Sequence, residues 1–259
     1  MANFFQTIFI KNSKLNVNQL IVKKTVISFF FFFVLAGAAI GGWKWLRHQP
    51  ATADGASKPI RNVLNTNEAI FKGLLSNTHL TKEYPVSAAV KKARVNGDIG
   101  MKTPFDPATW QMYVVKKNGD TLKLRLEDIK KLPKTEVIFN FKCIEGWSQI
   151  TRWGGVKFSD FIKAYGLHDE MGMKYVGLST PDKEYYVGID MPSAMHPQTL
   201  LCYELNGEPL PVNQGYPIRL IIPVKYGIKS LKRIGTMIFD DQRPPDFWAK
   251  KGYDYFSGL

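Results

Sequence analysis

Two groups of residues in this 259-residue chain have the types and spacing to do chemistry. The first is a single thiol in the run Phe139-Asn-Phe-Lys-Cys143-Ile-Glu-Gly-Trp147. Val137, Phe139 and Phe141 alternate with smaller or polar residues, the period of a half-buried strand, and Glu145-Gly146 then breaks the pattern. Cys143 therefore stands where a rigid element meets a loop, which is where sites commonly form. The second group is cationic. Arg219, Lys225, Lys229, Lys232 and Arg233 fall within fifteen residues, separated by the apolar Leu220-Ile-Ile-Pro223 and by Tyr226-Gly227. Cations spaced through a strand and a glycine-bearing turn can converge on one anionic group, arginine gripping a phosphate bidentately and lysine adding point charge. A basic patch beside anionic lipid is the alternative.

Three roles are open to Cys143: core thiol, activated nucleophile or soft metal ligand. A nucleophile wants a base that deprotonates it, and none of the four histidines (His48, His79, His168, His196) has a spacing that supports such a pairing or a protein-only zinc site. A thiolate ligand wants a soft metal and a pocket able to hold it, which the cationic segment offers. The only other cysteine, Cys202, lies in the apolar run Thr199-Leu-Leu-Cys-Tyr-Glu204 and reads as core. Two cysteines exclude a disulfide scaffold and leave a single bridge open.

The elements that must position these groups belong to a mixed α+β class. Trp110 to Val115 and Thr121 to Leu126 read as strands joined by the turn residues Lys117-Asn118-Gly119-Asp120. Glu127 to Pro133 is a brief helix closed by proline, and Lys157 to Tyr165 is a helix stopped by Gly166. Strands follow at Lys174 to Leu178 and Glu184 to Ile189, with no repeat and no Walker or GxGxxG pattern. Upstream, Val26 to Gly42 carries no charge and is followed by Trp43-Lys-Trp45-Leu-Arg47, so it reads as one membrane-spanning helix, with a cleaved signal peptide as its rival. Asn67 is placed to cap a short amphipathic helix whose Ile70, Phe71, Leu74 and Leu75 share a face that packs on the domain.

The expected organisation is a cytoplasmic segment over 1–24, a transmembrane anchor over 25–46, a linker with the amphipathic helix over 47–83, and one domain over 84–259. Lys11, Lys14, Lys23 and Lys24 before the span put the N-terminus in the cytoplasm and the domain in a periplasm. The formal charge of +13, from 35 Lys+Arg against 22 Asp+Glu, is compatible with nucleic acid, membrane surface or anionic ligand. No basic-aromatic, zinc-finger or RNP-like pattern accompanies it, so nucleic acid is not an expected partner.

Three segments together carry a family resemblance: Cys143-Ile-Glu-Gly-Trp-Ser with Trp153-Gly-Gly-Val-Lys-Phe, Ala194-Met-His-Pro-Gln-Thr-Leu200, and Tyr216-Pro-Ile-Arg219-Leu with Pro223-Val-Lys-Tyr-Gly-Ile-Lys-Ser-Leu-Lys232. They resemble the molybdopterin-binding domain of the sulfite oxidase superfamily, in the branch of the periplasmic methionine-sulfoxide reductase catalytic subunits, over residues 84–259. The resemblance implies a mixed-sheet sulfite-oxidase-type fold and molybdenum held by one molybdopterin and by the Cys143 thiolate. It implies that Asn96, Thr180, Arg219, Ser230, Leu231 and Lys232 contact the cofactor, together with Gln214, which stands where the branch has asparagine. Oxygen-atom transfer would then be the metal's chemistry, with the protein supplying binding and orientation.

The chain departs from the eukaryotic sulfite oxidases, whose Cys-Ala-Gly-Asn-Arg type of run is Cys143-Ile-Glu-Gly-Trp147 here, so sulfite loses support as substrate. Neither a haem domain before the core nor a dimerisation domain after it is expected, so electrons are expected from a separate protein, a membrane haem or quinol-linked subunit. Lys23-Lys24 stands where a twin arginine would mark export with the cofactor in place, leaving an atypical signal and a cytoplasmic domain both open. The leading expectation is a membrane-anchored molybdoenzyme acting on a small or protein-bound sulfoxide or oxyanion. The alternative is a non-catalytic anchored module that keeps the fold and uses its basic pocket to hold an anion or a protein partner.

Overall fold

The computed structural model describes residues 16–52, 55–74 and 79–259. Residues 1–15, and Leu75 of the expected amphipathic face, lie outside that set. The chain divides into two compact units, residues 1–50 and 51–259. The described part of the first is the helix α1 (Val17–Arg47), which has a mean hydropathy of 2.1 over its most apolar window and no buried residue, so it is long and apolar enough to cross a membrane.

The second unit carries all of the described core and holds two five-stranded sheets. The first sheet contains β1 (Met112–Val115), β2 (Thr121–Leu124), β5 (Tyr175–Ser179), β6 (Tyr186–Asp190) and β10 (Thr236–Asp240), in the order β2-β1-β10-β5-β6. Only the β1–β10 pairing is parallel, because a hairpin joins β1 to β2 and another joins β5 to β6. The second sheet contains β3 (Lys134–Lys142), β4 (Ser148–Lys157), β7 (Leu200–Leu205), β8 (Glu208–Pro209) and β9 (Arg219–Ile221). β7 is its hub, pairing with β4, β8 and β9. The expected alternation in β3 is present, with Val137, Phe139 and Phe141 buried beneath Trp153 in a small core of this sheet.

Short helices close the layers. The expected brief helices form as Leu126–Lys130 (α3) and Phe158–Ala164 (α4), and the latter buries Phe158, Phe161 and Ile162 in the main core. β4 bends at Gly154-Gly155, where its register against β7 shifts. A Cβ on Gly155 would fall on the carbonyl oxygen of Leu201 and lie 2.7 Å from Cys202 Cα.

One element differs from expectation in both extent and orientation. The helix after the linker, α2, runs Lys58–Leu74, so Asn67 lies in its body and is not its cap. Pro59 falls in the first turn, where its missing N–H costs nothing. Its Arg61 and Glu68 are buried, whereas Ile70, Phe71 and Leu74 are exposed, so the expected packing face points outward. Specific polar bonds draw the opposite face in. Glu68 pairs with Arg243 at 2.6 Å, and Arg61 donates to the carbonyls of Ala249 and Tyr253 at 3.1 and 3.3 Å.

The β4–β7 approach yields a stability prediction. Gly155→Ala should destabilise the domain by roughly 1–3 kcal/mol, because a backbone carbonyl cannot move aside as a side chain can. Urea unfolding monitored by tryptophan fluorescence reads this directly, and an unchanged midpoint would contradict the packing described.

Candidate functional site

The turn between β3 and β4 presents the thiol. The Cys143 N–H donates to the Trp147 carbonyl at 2.9 Å, the Gly146 N–H donates to the Cys143 carbonyl at 3.1 Å, and Gly146 sits at φ +89°, which glycine adopts without strain. Phe141, flanked by Trp147 and Trp153 with ring centroids 6.3 and 6.0 Å away, anchors the turn to the sheet. Cys143 is 5% exposed and lines a cavity of about 190 Å³. Asn96 enters from the loop before β1 and donates Nδ2–H to the Cys143 sulfur at 3.3 Å.

Arg219, on β9, forms the opposite side of the same cavity. Its Nη1 donates to the Gln214 carbonyl at 2.9 Å and to Gln214 Oε1 at 3.1 Å, and its Nη2 donates to the Ser230 carbonyl at 3.1 Å. The guanidinium lies 4.8 Å from the Trp153 ring centroid. These partners are all neutral. Among the described residues no carboxylate pairs with Arg219, and burial lowers its pKa to about 10, which still leaves it charged near neutral pH. Its Nε, like the Ser230 hydroxyl, is buried without a hydrogen-bond partner.

Lys232 adds a second unpaired cation to the lining. Its ammonium donates to the carbonyls of Asn96, Gly97 and Asn213 at 2.6, 3.0 and 3.1 Å. Burial, followed by repulsion from Arg219, pushes its pKa down to about 7. A buried cation with a half-buried one beside it in the same cavity is costly unless an anion joins them. The arrangement therefore suits a ligand with a soft-metal end at Cys143 and an anionic end at Arg219, Ser230 and Lys232.

The structure does not bring the whole cationic segment together. Lys225 pairs with Asp190 at 2.8 Å and Lys229 pairs with Asp246, all four side chains being buried, while Arg233 stacks on Phe105 at 4.2 Å and bonds the Tyr216 carbonyl. Two of the five cations thus reach the cavity. Thr180 does not line it. Its hydroxyl donates to Asp182 at 2.6 Å and ties down the turn after β5. Leu231 buries its side chain in the main core. Glu145 and Trp153 also line the cavity, whereas Arg152 pairs with Glu136 and Asp98 with Lys102.

Cys202 is a core thiol, fully buried on β7, with its pKa pushed up to about 12 by burial. The Ala194 to Leu200 motif is architectural, since Gln198 bonds both the N–H and the carbonyl of Thr81, and His196 contacts the His79 carbonyl. Sequence reasoning missed Arg94, Tyr185, Trp248 and Tyr253, which all line the cavity. Arg94 stacks 4.7 Å from the Trp147 ring centroid, and its carbonyl accepts from Gln214. The aromatic density of Phe247-Trp248-Ala-Lys-Lys-Gly-Tyr253 was the available signal for two of them.

Comparison with known proteins identifies the family. The profile of the family described as "Oxidoreductase molybdopterin binding domain" matches residues 100–248, more than half of the chain. The chain belongs to this family. It is 32% identical over 195 residues to a putative protein-methionine-sulfoxide reductase subunit of Azospira oryzae, covering 74% of this chain and 73% of that one. It is 33% identical to the protein-methionine-sulfoxide reductase catalytic subunit MsrP of Ralstonia nicotianae, covering 59% of this chain and 51% of the relative, so it spans about half of that protein's length. Sulfane dehydrogenase SoxCD of Paracoccus pantotrophus overlays with a TM-score of 0.49 at 18% identity, over 64% of this chain and 46% of that one.

The residues present fit Mo-molybdopterin. Cys143 would offer the metal a sulfur ligand beside an amide donor, the orphaned Arg219 Nε and Ser230 hydroxyl would offer donors to an anion, and Lys232, whose N–H groups already reach three carbonyls, would add charge.

A pH dependence follows from Lys232. Binding an anion favours its protonated form, so affinity for the phosphate-bearing cofactor should be greatest below about 7 and fall as pH rises through that value. Calorimetric titration of cofactor-free protein at several pH values reads this slope. Lys232→Met should weaken binding and flatten the profile, and an unchanged profile would remove Lys232 from the anion site.

Proposed function

We propose that this chain is the catalytic subunit of a sulfoxide reductase, in which Cys143 holds molybdenum and Arg219, Ser230 and Lys232 hold the anionic end of molybdopterin. The observation that carries this reading is the pairing, in one cavity, of an amide-bonded thiol with a buried arginine and a half-buried lysine, neither of which has a carboxylate partner among the described residues. When bound, the cofactor supplies oxygen-atom transfer, by which a sulfoxide takes up two electrons and two protons and yields the thioether and one water.

The chain's own residues bind, orient and enclose. Asn96 fixes the direction of the Cys143 sulfur, while Gln214 holds Arg219 by two bonds and so sets the guanidinium plane. Ile144, Ile228, Trp147, Trp248 and Tyr253 make an apolar wall suited to a thioether. Tyr185 commits its proton to the Ile228 carbonyl at 2.6 Å, and burial raises its pKa further, which disqualifies it as an acid.

The names of the relatives, a "subunit" and a "catalytic subunit" of protein-methionine-sulfoxide reductases, support both the substrate class and a separate electron-donating subunit. We read that partner as a membrane haem or quinol-linked protein. α1 is read as a retained anchor that leaves the catalytic domain in the periplasm, its flanking Trp43, Trp45, Lys44 and Arg47 suiting a membrane interface.

Two measurements test the reading. Protein made in a host that synthesises molybdopterin should carry about one Mo per chain, and Cys143→Ala should lose the metal or at least on the order of a hundredfold in turnover. Absence of Mo, or full Mo and activity in Cys143→Ala, would refute it. With a reduced viologen dye as donor, methionine sulfoxide should drive dye oxidation. Bound cofactor that stays redox-silent with every donor and acceptor would instead identify a binding module.

A further inference from the structure

α2 packs on the domain with the face that a soluble helix normally shows to water. Arg61, Asn65, Glu68 and Lys72, spaced by four, three and four residues, fall on one side of the helix. That side meets the domain. Arg243 reaches Glu68 at 2.6 Å and Asn65 at 3.1 Å, Lys72 reaches Glu68 at 2.7 Å, and Arg61 holds the turn that runs from Ala249 to Tyr253. The other side carries Ile60, Val63, Ile70, Phe71 and Leu74, which are 40–66% exposed. The charged bonds fix this orientation, so the apolar stripe is a built feature of the surface.

We propose that α2 is an interfacial helix that lays this stripe on an anionic lipid surface. The charge pattern selects that occupant. Glu68 is the only carboxylate in α2, and it is buried and paired, so the exposed part of the helix presents no negative charge. Phe71 and Leu74 share a groove with Lys82 and Lys142, and the turn held by Arg61 carries the exposed Lys250 and Lys251. Apolar side chains flanked by lysines are the composition of a helix that lies at a headgroup boundary. Connectivity points the same way. Ten residues, 48–57, separate α2 in sequence from the apolar α1. The stripe lies along one helix of 17 residues, about 25 Å long, a narrow strip beside the broad face that a stable protein dimer needs.

The inference goes beyond the oxidoreductase reading and stands or falls separately. Residues 51–259 contain the whole described core, so this unit can be tested without α1. It should sediment with phosphatidylglycerol vesicles and much less with phosphatidylcholine vesicles, and added salt should weaken the binding. Phe71→Glu combined with Leu74→Glu should reduce partitioning on the order of tenfold or more without shifting the thermal midpoint, since both side chains are exposed in the domain. Failure to bind either vesicle, binding unaltered by the double substitution, or a solution dimer that the substitution dissociates would overturn the proposal. Mo content and turnover of the full chain in detergent are read in parallel, and their loss would tell against the oxidoreductase reading alone.

Discussion

Arg219 carries a charge that the protein neither neutralises nor exposes. Its guanidinium is buried against Trp153 and held by the Gln214 side chain and two carbonyls, with Nε left free. That constraint organises the site. β9 must pair with β7 to bring Arg219 opposite Cys202, β7 must pair with β4 to place Trp153 beneath it, and the β3–β4 turn then sets Cys143 on the same cavity. A pocket built around an uncompensated cation has a defined ligand charge before any ligand arrives, which is a form of preorganisation.

The neighbouring lysines show how selectively that charge is left open. Lys225 and Lys229 belong to the same stretch of sequence and are as deeply buried as Arg219, yet each meets a buried aspartate. They serve the fold by tying the segment after β9 to Asp190 at the end of β6 and to Asp246 in the C-terminal segment. Burial without a partner would cost each of them several kcal/mol; the fold supplies a buried aspartate to both, and among the described residues it supplies no carboxylate to Arg219. The cluster was legible in the sequence as cations among apolar residues. Its division was not, because Asp190 and Asp246 lie outside the stretch and only chain folding brings them in.

Other parts divide along the same line. The β3 alternation, the β1–β2 turn and both short helices were readable because their signals are local: period, turn residues, proline and glycine stops. The amphipathic character of α2 was readable for the same reason. Its direction was not, since Arg243, Ala249 and Tyr253, which draw the polar face inward, lie more than 170 residues further along the chain. Thr180 and Leu231 carry the complementary lesson. Both occupy positions the family resemblance assigned to the cofactor, but their side chains serve a turn and the core.

By itself the sequence determined the chemical vocabulary: a strand-end thiol, a cationic segment, an apolar span, and motifs specific enough to name a cofactor family. Only the tertiary structure decided which groups share a cavity, which cations keep an open charge and which face of α2 meets solvent. The reason is physical. Local patterns follow from backbone geometry and burial period, whereas the fate of a buried charge depends on partners that long-range strand pairing and loop packing deliver.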